Sequence, residues 1–161
     1  LTPYIVQTFP SLETYMSILL AVFGFCSFSG NLLGGYVCDK IGFHKSLTYA
    51  TALQIMLSIT IFLTRSSLIL NLFLIFIWMA NGWFIGLQLN SGIAVGVKNR
   101  SNLILSLNTS CIQLGQAIGV SIISMVISST SISYAALGSF VSSVLVLLVL
   151  LTTTNYFKTV R

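Results

Sequence analysis

Between Arg100 and Lys158 the chain carries no aspartate, glutamate, lysine, arginine or histidine. Nothing constrains the fold more, because a soluble domain must cover its surface with charge. The remainder follows suit. Only 6% of the 161 residues are charged and 56% are hydrophobic, with a mean hydropathy of +1.01, whereas ordinary globular proteins carry about 25% charge. Lipid must therefore be the main solvent. This excludes soluble enzymes, intrinsic disorder and nucleic-acid binding. A net charge of +5 and a pI near 9.4 would point to phosphate only if the basic residues were clustered, and they are scattered.

Crossing a bilayer core about 30 Å thick takes about 20 mostly apolar residues in a helix. The apolar runs here are continuous, as in Leu68–Ile77 and Val141–Leu151, whereas barrel strands alternate polar and apolar. The sequence predicts an all-α, polytopic membrane helix bundle occupying 1–161 as a single unit. Five full spans are expected at 14–38, 46–64, 68–96, 102–127 and 134–156. Segment 1–13, broken by Pro3 and Pro10, reads as the end of a truncated helix plus a loop. The start at Leu1 reads as a cut edge. Cys26, Cys38 and Cys111 follow no metal-ligand spacing and read as inert, membrane-buried thiols.

Five alternating spans sort the cations. Lys40, Lys45, Lys98, Arg100, Lys158 and Arg161 fall on one side and Arg65 alone on the other. Cytoplasmic loops carry the Lys/Arg excess, so Asp39–Lys45, Lys98–Arg100 and the C-terminus are expected inside. A wrong span count would scatter the cations.

The most specific feature is the first of these loops, from Gly34 to Lys45. Gly34 and Gly35 allow close approach of a neighbouring backbone. Asp39 sits at headgroup level, where it can accept hydrogen bonds from an adjacent helix N-terminus. Gly42 permits a tight reversal, and Lys40 and Lys45 anchor the loop. An isolated Asp-Lys pair would be an ordinary solvated turn. The spacing of Gly35, Asp39, Lys40, Gly42 and Lys45, however, resembles the signature loop of the major facilitator superfamily. Phe43 and His44 depart from it, standing where small or cationic residues are commoner.

A second stretch, Ser106–Ser110 followed by Gln113-Leu114-Gly115-Gln116-Ala117-Ile118-Gly119, resembles the eleventh helix of twelve-span drug:proton antiporters and arabinose-efflux-like permeases. Thr2–Ile5 resembles the outer end of their seventh. The resemblance implies the C-terminal six-helix half of a major-facilitator fold. It also implies efflux of a small organic solute or drug by alternating access coupled to protons, a bacterial plasma membrane, and an N-terminal half as partner. Asp39 and its loop would then be a conformational latch. The tenth helix would line a central cavity and the eleventh would flank it.

Polar residues inside spans point to a pathway. Trp78, Asn81, Ile85 and Gln88 share one helix face, and Asn102, Ser106, Thr109, Gln113 and Gln116 form a longer stripe. Trp78, Asn81, Gln88, Ser106, Thr109, Gln113 and Gln116 are thus candidates for lining a substrate cavity, with helix–helix hydrogen bonding as the competing role. Trp83 and Asn90 point elsewhere and read as packing residues. Four close-packing pairs recur: Gly30/Gly34, Gly82/Gly86, Gly92/Gly96 and Gly115/Gly119. Gly24, Ser27, Asn31 and Gly35 form a small-residue face suited to the other half. Gln54 stands alone in the second span, so the second and fifth spans are expected to be outer, lipid-facing helices.

No span holds an ionisable residue, so a proton-coupling group would lie in the absent half. No cofactor or metal is expected, nor an embedded enzyme. The alternative is a truncated remnant, or a non-transporting helical protein packing against partner subunits. An upstream reading frame with a second signature loop separates the two.

Overall fold

The computed structural model describes residues 2–96, 102–129 and 135–158. Among these, the chain is helical and contains no strand. Helix α1 (Thr2–Thr8) runs into a 3-10 turn, Pro10–Tyr15. Helices α2 (Met16–Ile41), α3 (Phe43–Leu63), α4 (Leu68–Gly96), α5 (Asn102–Ser129) and α6 (Ala135–Lys158) follow. Four stretches are long and apolar enough to cross a membrane: Pro10–Ile41, Phe43–Leu63, Leu68–Ile93 and Ser106–Ser128. A shorter apolar stretch covers Ala136–Thr152. The expected membrane helix bundle is what the chain forms. Lys98–Arg100, residues 130–133 and Arg161, on which the second basic break, a turn and the last cation were placed, lie outside the described residues.

The loop expected over Asp39–Lys45 is much shorter. Asp39 and Lys40 complete the last turn of α2, and His44 and Lys45 begin α3, leaving only Gly42 between them. Gly42 has φ 81°, the one positive φ among the described residues, and a Cβ there would be strained. Its N–H donates to the Cys38 carbonyl and its own carbonyl accepts from Ser46 N–H. A single glycine thus reverses the chain with its backbone groups engaged on both sides.

Helix α4 runs parallel to α2, with α3 antiparallel to both. A Cβ at Gly30 would collide with the Ala80 carbonyl, and one at Gly34 would lie 3.1 Å from Leu87 and 3.4 Å from the Phe84 carbonyl oxygen. These glycines let α2 and α4 approach backbone to backbone, where lipid supplies no hydrophobic drive and packing must do the work. At the end away from Gly42, Tyr4, Ile5, Phe23, Ile61 and Ile75 form the apolar core. There Phe23 and Phe76 stack at a tilt, 5.0 Å between centroids.

The expectation that the second and fifth spans are outer, lipid-facing helices needs correction for α3. This helix packs against α4 on one side and α6 on the other. Eight of its residues are buried, Gln54 among them. Nor does Gln54 stand alone: its Oε1 accepts a hydrogen bond from Asn81. The helix that stands open is α5, of whose apolar stretch nothing is buried.

Candidate functional site

The two predicted polar stripes meet different surroundings. On α4, Trp78 Nε1–H lies 3.2 Å from both Ser58 Oγ on α3 and Ser139 Oγ on α6, and those hydroxyls are 3.0 Å apart. Asn81 Nδ2 donates to the Ala50 carbonyl at 2.9 Å and to Gln54 Oε1 at 2.6 Å. Gln88, fully buried, donates from Nε2 to the Gly34 carbonyl at 2.7 Å, while its Oε1 has no hydrogen-bond partner. The shared face of α4 therefore turns toward α2, α3 and α6. Trp78, Asn81 and Gln88 each donate to a neighbouring helix, the usual way to satisfy a donor in hydrocarbon, and among their buried side-chain atoms only Gln88 Oε1 is left over.

Asn71 belongs to the same face and went unnoticed in the sequence. Fully buried, it donates from Nδ2 to the Ile61 carbonyl at 2.9 Å and accepts from the Tyr4 hydroxyl at 3.4 Å. It stands seven residues before Trp78, two helical turns along the same stripe, so the spacing held the signal.

The α5 stripe is different. Ser106, Thr109, Gln113 and Gln116 are all exposed. Ser106, Thr109 and Gln113 come together with Ser110 and Leu114 along a wide-open concavity of about 540 Å³, while Gln116 is not among its lining. The opposite side of α5 carries Asn108, whose Nδ2 donates to Asn90 Oδ1 on α4 at 2.6 Å. Farther along, Ile127 packs onto the apolar core. A Cβ at Gly138 on α6 would collide with Ile123. Helix α5 is thus held at both ends, and its polar face looks outward. The Asn102 and Gly96 side chains lie outside the described residues.

Of the glycines, Gly82, Gly86, Gly115 and Gly119 have no neighbouring atom within 4 Å of where a Cβ would stand, and neither has Gly24. A Cβ on Gly92 would lie 2.8 Å from the Phe43 ring. Cys26 and Cys38 are half-buried and Cys111 is exposed on α5, all three within apolar stretches long enough to cross a membrane. At the α2–α3 turn, Asp39, Lys40 and Lys45 are exposed. Lys40 Nζ sits 4.4 Å from the centroid of the Tyr36 ring, a cation–π contact that holds the ammonium beside the helix end.

No family model matches the chain, and no solved structure matches it. It is similar to the uncharacterized MFS-type transporter YbcL of Bacillus subtilis (strain 168), with 28% identity over 153 residues. The match takes in 92% of this chain and 39% of that protein. The chain spans about two fifths of the length of the curated relative it matches.

Proposed function

We propose that the chain forms the C-terminal half of a major facilitator superfamily transporter, from the end of helix seven through helix twelve. The observation that carries this is the similarity to an MFS-type transporter along 92% of the chain. The signature spacing at the α2–α3 turn supports it. The cargo is a small organic solute or drug, moved outward by alternating access coupled to protons. The membrane is a bacterial plasma membrane, with the α2–α3 turn and the C-terminus on the cytoplasmic side. No residue with a carboxylate, amine, guanidinium or imidazole lies between Lys45 and Arg65 or between Arg65 and Lys98. Proton coupling therefore belongs to residues of the N-terminal half.

In this reading the outward polar face of α5 supplies the cavity wall, through Ser106, Thr109, Gln113 and Gln116. Trp78, Asn81 and Gln88 stand behind it, holding α4 to its neighbours, and reach solute only when α4 moves. The open glycines Gly82, Gly86, Gly115 and Gly119 offer close-approach surfaces to the N-terminal half. Asp39 acts as a latch between the halves.

The test is Asp39→Asn in the complete transporter. Transport should fall at least tenfold while the amount of inserted protein stays constant. Unchanged efflux by a normally inserted variant would remove the latch.

A further inference from the structure

We propose that the crevice between α2 and α3 is a binding site for one anionic glycerophospholipid of the leaflet on the α2–α3 turn side. The site needs only the bilayer and does not depend on the transport reading. Helices α2 and α3 splay from their single-residue turn, and α4 closes the gap behind them. The resulting crevice is about 370 Å³. Its lining is almost wholly apolar. Ile41 and Ser46 stand at the end next to Gly42, and Leu53 and Ile77 at the deep end. From Ile41 back to Gly30 the helix rises about 16 Å at 1.5 Å per residue, a length that takes an acyl chain of about a dozen carbons.

The chemistry at the mouth is sorted by charge. Leu33, Val37 and Ile41 line the crevice, and on the same helix Lys40 lies at the edge of that face. Asp39 points roughly the opposite way round the helix. Lys40 is kept at the rim by the Tyr36 ring, and Lys45 flanks the mouth from α3. A phosphate there meets two ammonium groups and not the carboxylate. The N-terminus of α3 opens at the same place, and no side chain caps it, so its positive dipole end favours an anion.

The independent sign of a missing ligand is Ser46. It lines the crevice and is 1% exposed, yet its hydroxyl has no hydrogen-bond partner. Thr48, Thr51 and Ser58 on the same helix each return a bond to the carbonyl four residues back, the usual way to satisfy a membrane hydroxyl. A buried donor left unmade is costly in hydrocarbon. One turn inside the phosphate level, the Ser46 hydroxyl is covered as it stands and reaches an ester carbonyl of the glycerol backbone by rotating about χ1 toward the crevice it lines. Phosphate, ester and acyl chain thus meet cations, a donor and an apolar slot in that order of depth.

The test titrates the intact chain in detergent with dioleoylphosphatidylglycerol, dioleoylphosphatidylcholine or inorganic phosphate, counting bound lipids by native mass spectrometry. One phosphatidylglycerol should bind more tightly than phosphatidylcholine. Lys40→Gln and Lys45→Gln should each weaken it about fivefold and weaken phosphatidylcholine less, because its choline cation offsets the same phosphate. Ser46→Ala should weaken both lipids about two- to fivefold, as should Leu53→Trp, which narrows the slot from an exposed position. Arg65→Gln, at the far end of α3, should change neither. Equal binding of the two lipids, an effect of Arg65→Gln matching that of the lysines, or displacement of the lipid by equimolar inorganic phosphate overturns the proposal.

Discussion

Helices α3 and α5 are equally apolar on average, yet 44% of the apolar stretch of α3 is buried and none of that of α5. Hydrophobicity cannot be the cause, because lipid receives an aliphatic side chain as readily as a neighbouring helix does. The difference lies in the polar atoms. Gln54 and Ser58 of α3 meet Asn81 and Trp78 of α4 across a tight interface, and Ser139 of α6 closes the knot. The polar atoms of α5 are divided. Asn108 turns to Asn90 of α4 at the rim of the bundle, while Gln113 and Gln116 face out. In a membrane a helix is buried where its polar groups find partners, and it is the unburied polar face of α5 that the proposed function assigns to a cavity wall.

The comparison breaks most readily at its glycines. Gly30→Leu would force a side chain into the Ala80 carbonyl, which belongs to a rigid helix and cannot give way. The expected cost is about 3 kcal/mol or more, seen as loss of the monodisperse peak in fluorescence-detected gel filtration. In this chain without the proposed partner half, Gly115→Leu adds the same volume where nothing stands within 4 Å and should leave that peak unchanged. Equal losses would mean that α5 is as closely packed as α2. Next in size is Asn81→Leu, which strands Gln54 Oε1 in hydrocarbon. A loss of about 1–2 kcal/mol is expected, and Gln54→Leu in the same chain should restore part of it. Gln113→Leu, by contrast, should move the melting temperature by less than about 0.5 kcal/mol equivalent. Trp78→Phe comes third, at about 0.6 kcal/mol, because the Ser58–Ser139 bond survives without the indole.

How far these arrangements were legible in the sequence follows from the same physics. Trp78, Asn81 and Gln88 announce a shared face through their spacing, and Asn71 extends it. Spacing cannot tell which helix that face meets. The acceptors include the Ala50, Ile61 and Gly34 carbonyls, and every residue of the chain carries one. Helix α3 was misread because its single glutamine looked isolated and its apolar residues show almost no directional bias. In water such bias separates core from surface, but in lipid both sides can be apolar. The Gly42 reversal was readable because only glycine takes that φ comfortably. That it alone forms the turn was not, since Asp39, Lys40 and Lys45 look like loop residues and instead end or begin helices at headgroup level.

The smallest effect tests the hinge of the comparison. Asn108→Ala removes the 2.6 Å bond to Asn90, a contact on the rim of the molecule where Asn90 is exposed. Its loss should cost about 0.5 kcal/mol, near the average for hydrogen bonds between membrane helices, and leave the Trp78–Ser58–Ser139 knot undisturbed. The other end of α5 stays fixed by Ile123 and Ile127, so the helix should swing rather than detach. Cys111 lies one turn from Asn108 and is exposed, which makes its alkylation rate by a maleimide a reporter of that swing. A changed rate with a nearly unchanged melting temperature is the expected pair of results. A stability loss as large as that of Asn81→Leu would contradict it, because α5 would then be bound into the bundle as firmly as α3. In that case its outward polar face would owe its position to packing within this bundle, and the contrast with α3 would no longer support the proposed cavity wall.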